Sequence, residues 1–221
     1  MAGRRLDTDS IGESYEVFAE SVLARIATLT RIGTKQDFGT DTYCLPRVKV
    51  DARMETVTEL CLLQVKGGSS PLQYGGLDRN GQWKGYEFEW LKSLWAPLYL
   101  ARIDPHHQMV ELFSLWPIWW AMWQCGTPFK IEFSFKDATQ TDYTFSQPVK
   151  QPAKAGAGMG DGHTWTIDLG PPFLQLTHPN LNNDSFRDEA VEIFRYWIQV
   201  DRRLLLATTP RCPLLRQITP G

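Results

Sequence analysis

The sequence has few of the features that mark extracellular, membrane or thiolate-metal proteins. Four cysteines among 221 residues include no pair at CxxC spacing, which argues against a cysteine-based zinc site and against a disulfide scaffold. The longest largely apolar run, 112–123, contains Pro117 and is shorter than the roughly 20 residues of a membrane helix. Residues 1–10 lack the apolar core of a secretory signal. We therefore expect a cytoplasmic protein that does not enter a membrane.

The sequence also has no excess of charge of either sign. Lysine and arginine total 23 against 25 aspartates and glutamates, and the formal net charge is −2. Because long-range attraction to phosphates needs a basic excess, any nucleic-acid contact must come from a local patch. Tryptophan, by contrast, is abundant. Nine tryptophans indicate either large aromatic burial or an aromatic binding surface.

Hydrophobic periodicity predicts a chain that mixes helices and strands. Ser10 and Glu13 form a capping box ahead of apolar residues at helical spacing, which predicts a helix over 11–29. Further helices are predicted over 86–95, from 117 through 123 and over 184–206. Strands are predicted over 41–50, 59–66, 97–103, 109–115, 129–135 and 164–169. Residues 69–85 and 147–163 are rich in glycine, proline or polar residues, which is typical of loops.

The strand predicted over 59–66 ends in polar residues that a buried strand does not need. Gln64 and Lys66 are two residues apart and therefore share a face. Asp41 begins the preceding strand, and in an antiparallel pair the start of one strand lies beside the end of the next. The Asp41 carboxylate, the Gln64 amide oxygen and the Val65 carbonyl form a hard oxygen set suited to Mg²⁺ or Mn²⁺. Lys66 would orient a water or stabilise charge on a phosphate under attack.

The preceding helix offers a further carboxylate. At 100° per residue, Glu13 and Glu20 point away from the apolar stripe, whereas Glu16 lies at its flank. Glu16 is therefore the one acid of the three that can reach a site on the sheet, with a solvated surface residue as the alternative. His106 and His107 are interpreted as exposed turn residues.

These segments together resemble a nuclease superfamily. A helix with a glutamate, then D-F-G-T-D at 37–41, then L-Q-V-K-G-G at 63–68 resembles the PD-(D/E)XK restriction-endonuclease superfamily. The pair of motifs is similar to a narrower branch, domain of unknown function 4365, as are 90–100 and 196–201. The resemblance implies magnesium-dependent cleavage of DNA, with Asp41 and Gln64 at the metal, Lys66 as the catalytic lysine and Glu16 as the helix acid. Relatives in this branch look like nucleases of bacterial antiphage defence systems.

The resemblance also implies an architecture. It predicts a three-layer α/β/α restriction-endonuclease-like core with a mixed central sheet, within a single domain spanning 1–221. The core would comprise about 10–115 and the C-terminal helix 184–206. A Trp-rich β/α insertion would fill about 116–183 and contain a flexible loop at 147–163. Glutamine replaces the usual acid at position 64, which removes one negative charge and should weaken metal binding.

Several interpretations of the remaining residues stay open. Four basic residues are candidates for a phosphate track or for an ordinary solvated surface: Lys35, Arg47, Lys49 and Lys84. The tryptophans at 116–123 are interpreted as core or as a contact with a partner protein or a second copy, with base stacking as the alternative. The leading function is a DNA endonuclease, and RNA remains open as a substrate. A non-catalytic nuclease-fold subunit is the second function, and an adaptor or carbohydrate binder is the third.

Overall fold

The structure, a computed structural model, describes residues 7–32, 40–50, 53–56, 59–67, 72–136, 147–153 and 158–208. These residues fall into two compact units, the first within 1–70, 98–113 and 172–198 and the second within 71–97, 114–171 and 199–221. Each unit combines a sheet with helices. The predicted α/β class is therefore confirmed. Within the described ranges no helix is long and apolar enough to cross a membrane.

The first unit contains a mixed sheet of seven strands, ordered β1-β2-β4-β6-β7-β11, with β3 paired to β2 off this path. Its strands are β1 (Ala27–Arg31), β2 (Thr42–Val50), β3 (Arg53–Thr56), β4 (Cys61–Gly67), β6 (Leu98–Asp104), β7 (Met109–Ser114) and β11 (Leu174–Leu176). β1, β2 and β4 form an antiparallel meander, and β6 then adds parallel to β4. Because β4 and β6 are parallel neighbours, a crossover connection must join them, and the chain between them supplies it.

The helices of the first unit cover one face of this sheet. They are α1 (Asp7–Leu23), α4 (His178–Leu181) and α5 (Asp184–Thr208). Leu63 and Val65 of β4 belong to one buried cluster with Val22 of α1 and Phe194 of α5. Because side chains alternate along a strand, Gln64 and Lys66 leave β4 on the other face. The sheet therefore separates the apolar core from the predicted polar residues of β4.

The second unit contains a sheet of four strands, ordered β5-β8-β10-β9. Its elements are β5 (Gln73–Gly75), α2 (Tyr86–Ser93), α3 (Trp116–Cys125), β8 (Lys130–Ser134), β9 (Val149–Pro152) and β10 (His163–Asp168). β10 runs parallel to β8 and antiparallel to β9. Trp165 of β10 is fully buried, and its indole nitrogen donates to Asp161 at 2.8 Å. One tryptophan thus anchors this sheet.

Three predicted segments differ from the structure. The predicted helix 11–29 ends at Leu23, and Ala27–Arg31 forms β1 instead. The predicted loop 69–85 contains β5, and the predicted loop 147–163 contains β9. In each case strand pairing outweighs the local composition, because β1, β5 and β9 all lie against longer strands that supply their hydrogen-bond partners.

Candidate functional site

Asp41 closes the ladder between β2 and β4. Its backbone N–H donates to the Leu63 carbonyl at 2.8 Å, and its Oδ2 accepts the N–H of Val65 at 2.5 Å. The last paired residues are Thr42 and Leu63, and Asp41 lies one residue beyond this pair. Val65 is 8% exposed, so its N–H needs an acceptor within the protein. The carboxylate therefore has a structural function as well as any chemical one.

Two of the three predicted oxygen donors, Asp41 and the Val65 carbonyl, lie at the same edge of β4. In a strand the N–H and C=O of one residue point to the same side, so the Val65 carbonyl faces the β2 edge where the Asp41 carboxylate lies. Gln64 precedes Val65 on the same strand and is 3% exposed. A buried side-chain amide of this kind is normally hydrogen-bonded within the protein. Asp41, Gln64 and Val65 thus all lie where the start of β2 meets β4.

Glu16 of α1 lies near this junction. It is partly buried, and its pKa is raised above the ordinary glutamate value, first by burial and then by the negative charge of Asp41. The positive charge of Arg31 opposes this shift. Arg31 itself is engaged in an ion pair with Glu20. The structure therefore brings two mutually repelling carboxylates, Glu16 and Asp41, to the same end of the sheet.

Lys66 lies one step beyond this group. It is half-buried, and within the described ranges it forms no ion pair. Its position in the parallel register is beside Arg102 of β6, on the face of β4 opposite α1. Gly67 follows, and the ring of Tyr15 of α1 occupies the space that a side chain there would fill. The helix therefore closes over the end of β4 on the face that Lys66 does not use.

The predicted metal site includes two carboxylates, those of Asp41 and Glu16. No group of three or more His, Cys, Asp or Glu residues in the described part of the chain is arranged to hold a metal. Magnesium, however, is commonly held by one or two carboxylates and completes its shell with water and substrate phosphates. Asp41 and Glu16 supply two carboxylates, whose repulsion a divalent cation would relieve. Gln64 and Val65 supply neutral oxygens.

The four residues of the predicted phosphate track fall in different parts of the chain. Arg47 and Lys49 lie six and eight residues along β2 from Asp41, roughly 20–26 Å away in an extended strand. The Arg47 guanidinium donates to the Ala24 carbonyl, which ties β2 to the turn after α1. Lys84 belongs to the second unit and pairs with Glu87 at 2.8 Å. Lys35 lies outside the described residues.

A polar row that sequence reasoning missed runs beside Lys66 on the same face of the sheet. Arg102 of β6 contacts Glu111 of β7 through Nε at 2.7 Å and Nη2 at 2.5 Å. Gln175 of β11 donates to the other carboxylate oxygen of Glu111 at 3.0 Å. Glu111 is only 6% exposed. The available sequence signal was a charged residue inside each of two otherwise apolar strands.

The tryptophans of α3 divide between core and surface. Trp116 and Trp119 are buried, and the indole nitrogen of Trp119 donates to the Leu91 carbonyl at 3.1 Å. Trp123 is 56% exposed, and its ring centroid lies 5.4 Å from that of Trp120. The packing interpretation thus describes Trp116 and Trp119. Trp123 is exposed within the second unit.

Comparison with protein-family models, with curated proteins and with solved structures finds no match to this chain.

Proposed function

We propose that this chain is a metal-dependent endonuclease that hydrolyses phosphodiester bonds of DNA. The observation that carries the proposal is the hydrogen bond from the Val65 N–H, between Gln64 and Lys66 on β4, to the Asp41 carboxylate. Glu16 is a second carboxylate, near enough for the charge of Asp41 to add to the effect of burial in raising its pKa. Oxygen ligands at the end of a β-strand, with a lysine next to them, are suited to holding a divalent ion against a phosphate. The proposal extends to the restriction-endonuclease-like three-layer core and to a place among cytoplasmic antiphage defence effectors.

The order of elements supports the proposal. The helix acid, the aspartate and the Q-x-K motif lie on α1, on the residue before β2 and on β4. β2 and β4 are hydrogen-bonded neighbours, and α1 packs on β4 through the buried cluster. The three elements that carry the motif are therefore neighbours in the first unit although 50 residues separate Glu16 from Lys66, with α1 on the face of β4 opposite Gln64 and Lys66.

The chemistry follows from the positions of these groups. Asp41, Gln64 and the Val65 carbonyl would hold the ion, and Glu16 would act on it directly or through a water. A divalent cation bound there neutralises phosphate charge and lowers the pKa of water. Lys66 would stabilise the negative charge that develops on the phosphate and orient the attacking water. Because that charge is largest in the transition state, losing Lys66 should lower kcat more than it changes KM.

The test is a cleavage assay with Mg²⁺ or Mn²⁺ on linear, nicked and supercoiled DNA and on RNA. Wild type should cut in metal and stop in chelator. Lys66→Ala should lose about 10²–10³ in rate, while its melting temperature stays near that of wild type because truncation of a half-buried strand-end side chain opens no core cavity. Lys92→Ala is the matched control, because Lys92 is an exposed lysine of α2 that is not among the predicted phosphate contacts. Cutting in chelator, or a Lys66→Ala variant as fast as wild type, would refute the mechanism.

A second function, a non-catalytic nuclease-fold subunit, rests on Gln64. A buried neutral amide stands where the resemblance expects an acid, which lowers the negative charge available to a metal. Trp123 then offers a contact for a partner protein or a second copy. The discriminating variant is Gln64→Glu. A nuclease should bind metal more tightly with the added charge, whereas an assembly subunit should show no metal-induced stabilisation in either form and should lose its partner in Trp123→Ala.

A further inference from the structure

Lys66 and Arg102 form a pair of neighbouring cations on one face of the first sheet. They are register partners on the parallel strands β4 and β6, whose backbones are about 4.8 Å apart. Both side chains leave the sheet on the face opposite α1. Two adjacent cations repel each other unless an anion lies between them or beside them. Their juxtaposition at the strand ends therefore calls for a compensating negative charge.

Glu111 compensates Arg102 and also fixes its direction. The buried carboxylate takes two donors of the guanidinium, and Gln175 holds the carboxylate in turn. On its other side the guanidinium carbon lies 5.1 Å from the centroid of the Phe113 ring. An arginine held in this way loses little side-chain entropy when it meets a ligand. Arg102 is thus preorganised, while Lys66 beside it has no ion-pair partner in the described part of the chain.

Arg102 also opens onto a cleft. A cleft of about 490 Å³ at the strand ends of the first unit is lined by Tyr15, Arg102, Ile103, Asp104, Pro105, His106 and Glu111. The Arg102 side chain remains 30% exposed despite its ion pair. Of the two acids in the cleft, Glu111 is paired with Arg102, and Asp104 is bonded to His107 at 2.6 Å. The cleft therefore presents Arg102 to solvent beside acids that already have partners.

We propose that Arg102 binds a backbone phosphate of the nucleic-acid substrate, adjacent to the phosphate that meets Lys66. The nucleic-acid strand then crosses the ends of β4 and β6. This inference rests on the proposed nuclease function, because it takes Lys66 to face the phosphate under attack. The planar guanidinium fork matches two phosphate oxygens, which a lysine at this position would not do. Arg102 is then a substrate-binding residue, and its loss should weaken binding more than it slows the chemical step.

The test measures DNA binding without divalent metal, so that binding is read independently of cleavage. Arg102→Met should weaken binding about tenfold. The slope of log K against log salt should fall by about 0.9 on duplex DNA or about 0.7 on a single strand, the change expected for one lost phosphate contact. Arg195→Met is the matched control. Arg195 is also held by a glutamate, Glu59 at 3.2 Å, but that pair lies at the opposite end of β4.

Each outcome decides the inference. An unchanged affinity and salt slope in Arg102→Met, or an equal loss in Arg195→Met, overturns it even if wild type cuts DNA. An Arg102-dependent slope in a protein that never cuts with metal supports it and overturns the nuclease function instead. Failure of wild type to bind any DNA overturns it outright. If Arg102→Met melts far below wild type, Arg102→Lys replaces it: a preserved slope with weaker binding supports the guanidinium contact, and unchanged binding overturns it.

Discussion

Substitution of Asp41 separates its structural function from its proposed function at the metal. In Asp41→Ala the N–H of Val65 loses its acceptor, and this residue is 8% exposed. A hydrogen bond to a charged group contributes about 1.5–3 kcal/mol, and a buried unsatisfied donor costs a similar amount. In Asp41→Asn the amide oxygen still accepts, with about half the strength of the charge-assisted bond. Both variants equally remove the repulsion that raises the pKa of Glu16.

The difference between the two variants therefore isolates the hydrogen bond. We expect Asp41→Ala to be less stable than Asp41→Asn by about 1 kcal/mol, or about 2–4 °C in melting temperature for a chain of this size. Magnesium at about 100 times its Kd should stabilise wild type by about 2.7 kcal/mol. That corresponds to an increase of roughly 5–11 °C. Neither variant should show this increase.

Thermal melts with and without magnesium, with calcium as a non-catalytic comparison, provide the measurement. Equal melting temperatures for Asp41→Ala and Asp41→Asn would show that the bond to Val65 contributes nothing to stability. A magnesium-induced increase that persists in Asp41→Asn would show that the carboxylate is not a metal ligand. The two results are independent, so the structural function and the metal function can fail separately.

Two further substitutions test α1 at the same site. Burial and the charge of Asp41 raise the pKa of Glu16. Between the ordinary and the raised pKa the folded protein therefore binds more protons than the unfolded chain. Metal-free wild type should lose stability as pH rises through that window, and Glu16→Gln should not. With metal, Glu16→Gln should lose less activity than Asp41→Ala; equal losses in a cleavage assay would make Glu16 a direct ligand. In Gly67→Ala the new methyl group would lie 1.8 Å from the ring of Tyr15, which should cost about 1–3 kcal/mol in a denaturant titration; wild-type stability would show that the ring moves freely.

Much of the first unit followed from local patterns. The near-continuous apolar run at 60–63 predicted a strand buried on both faces, and β4 lies inside the sheet with β2 on one side and β6 on the other. The apolar stripe from Asp184 onward predicted α5, which ends within two residues of the expected position. These elements are predictable because their own residues carry the periodicity of the structure.

The junction between α1 and β1 was not predictable in the same way. Ile26 and Leu29 continue the helical spacing of α1, yet the helix ends at Leu23. Thr28 and Thr30 are β-branched, and both alternate outward while Ala27 is buried. The pairing of Ala27 with Pro46 and of Arg31 with Thr42 fixes the strand. Those partners lie more than ten residues away, so no local window contains the deciding contacts.

The candidate site shows the same division. The types and spacing of Gln64 and Lys66 were readable, because alternation puts both on one face whatever the rest of the chain does. Arg102 and Glu111 were not, since each is a charged residue with apolar neighbours in its own strand and nothing local pairs the two. The register of β6 against β4 places Arg102 beside Lys66, and the ion pair between Arg102 and Glu111 joins β6 to β7. Only these contacts show that the charges of Arg102 and Glu111 meet beside Lys66.

The charge count at the strand junction bears on how a metal would bind there. Gln64 contributes no charge, and the charged form of Glu16 is disfavoured by burial and by Asp41. Asp41 is the other carboxylate of the proposed ligand set, and it is already committed to the Val65 N–H through one oxygen. An ion held by so few charges depends on substrate phosphates to complete its shell. Since coupling between two ligands is reciprocal, DNA that tightens the ion is itself tightened by it. In the proposed function, Lys66 and Arg102 would then contact a DNA strand whose binding the ion already favours.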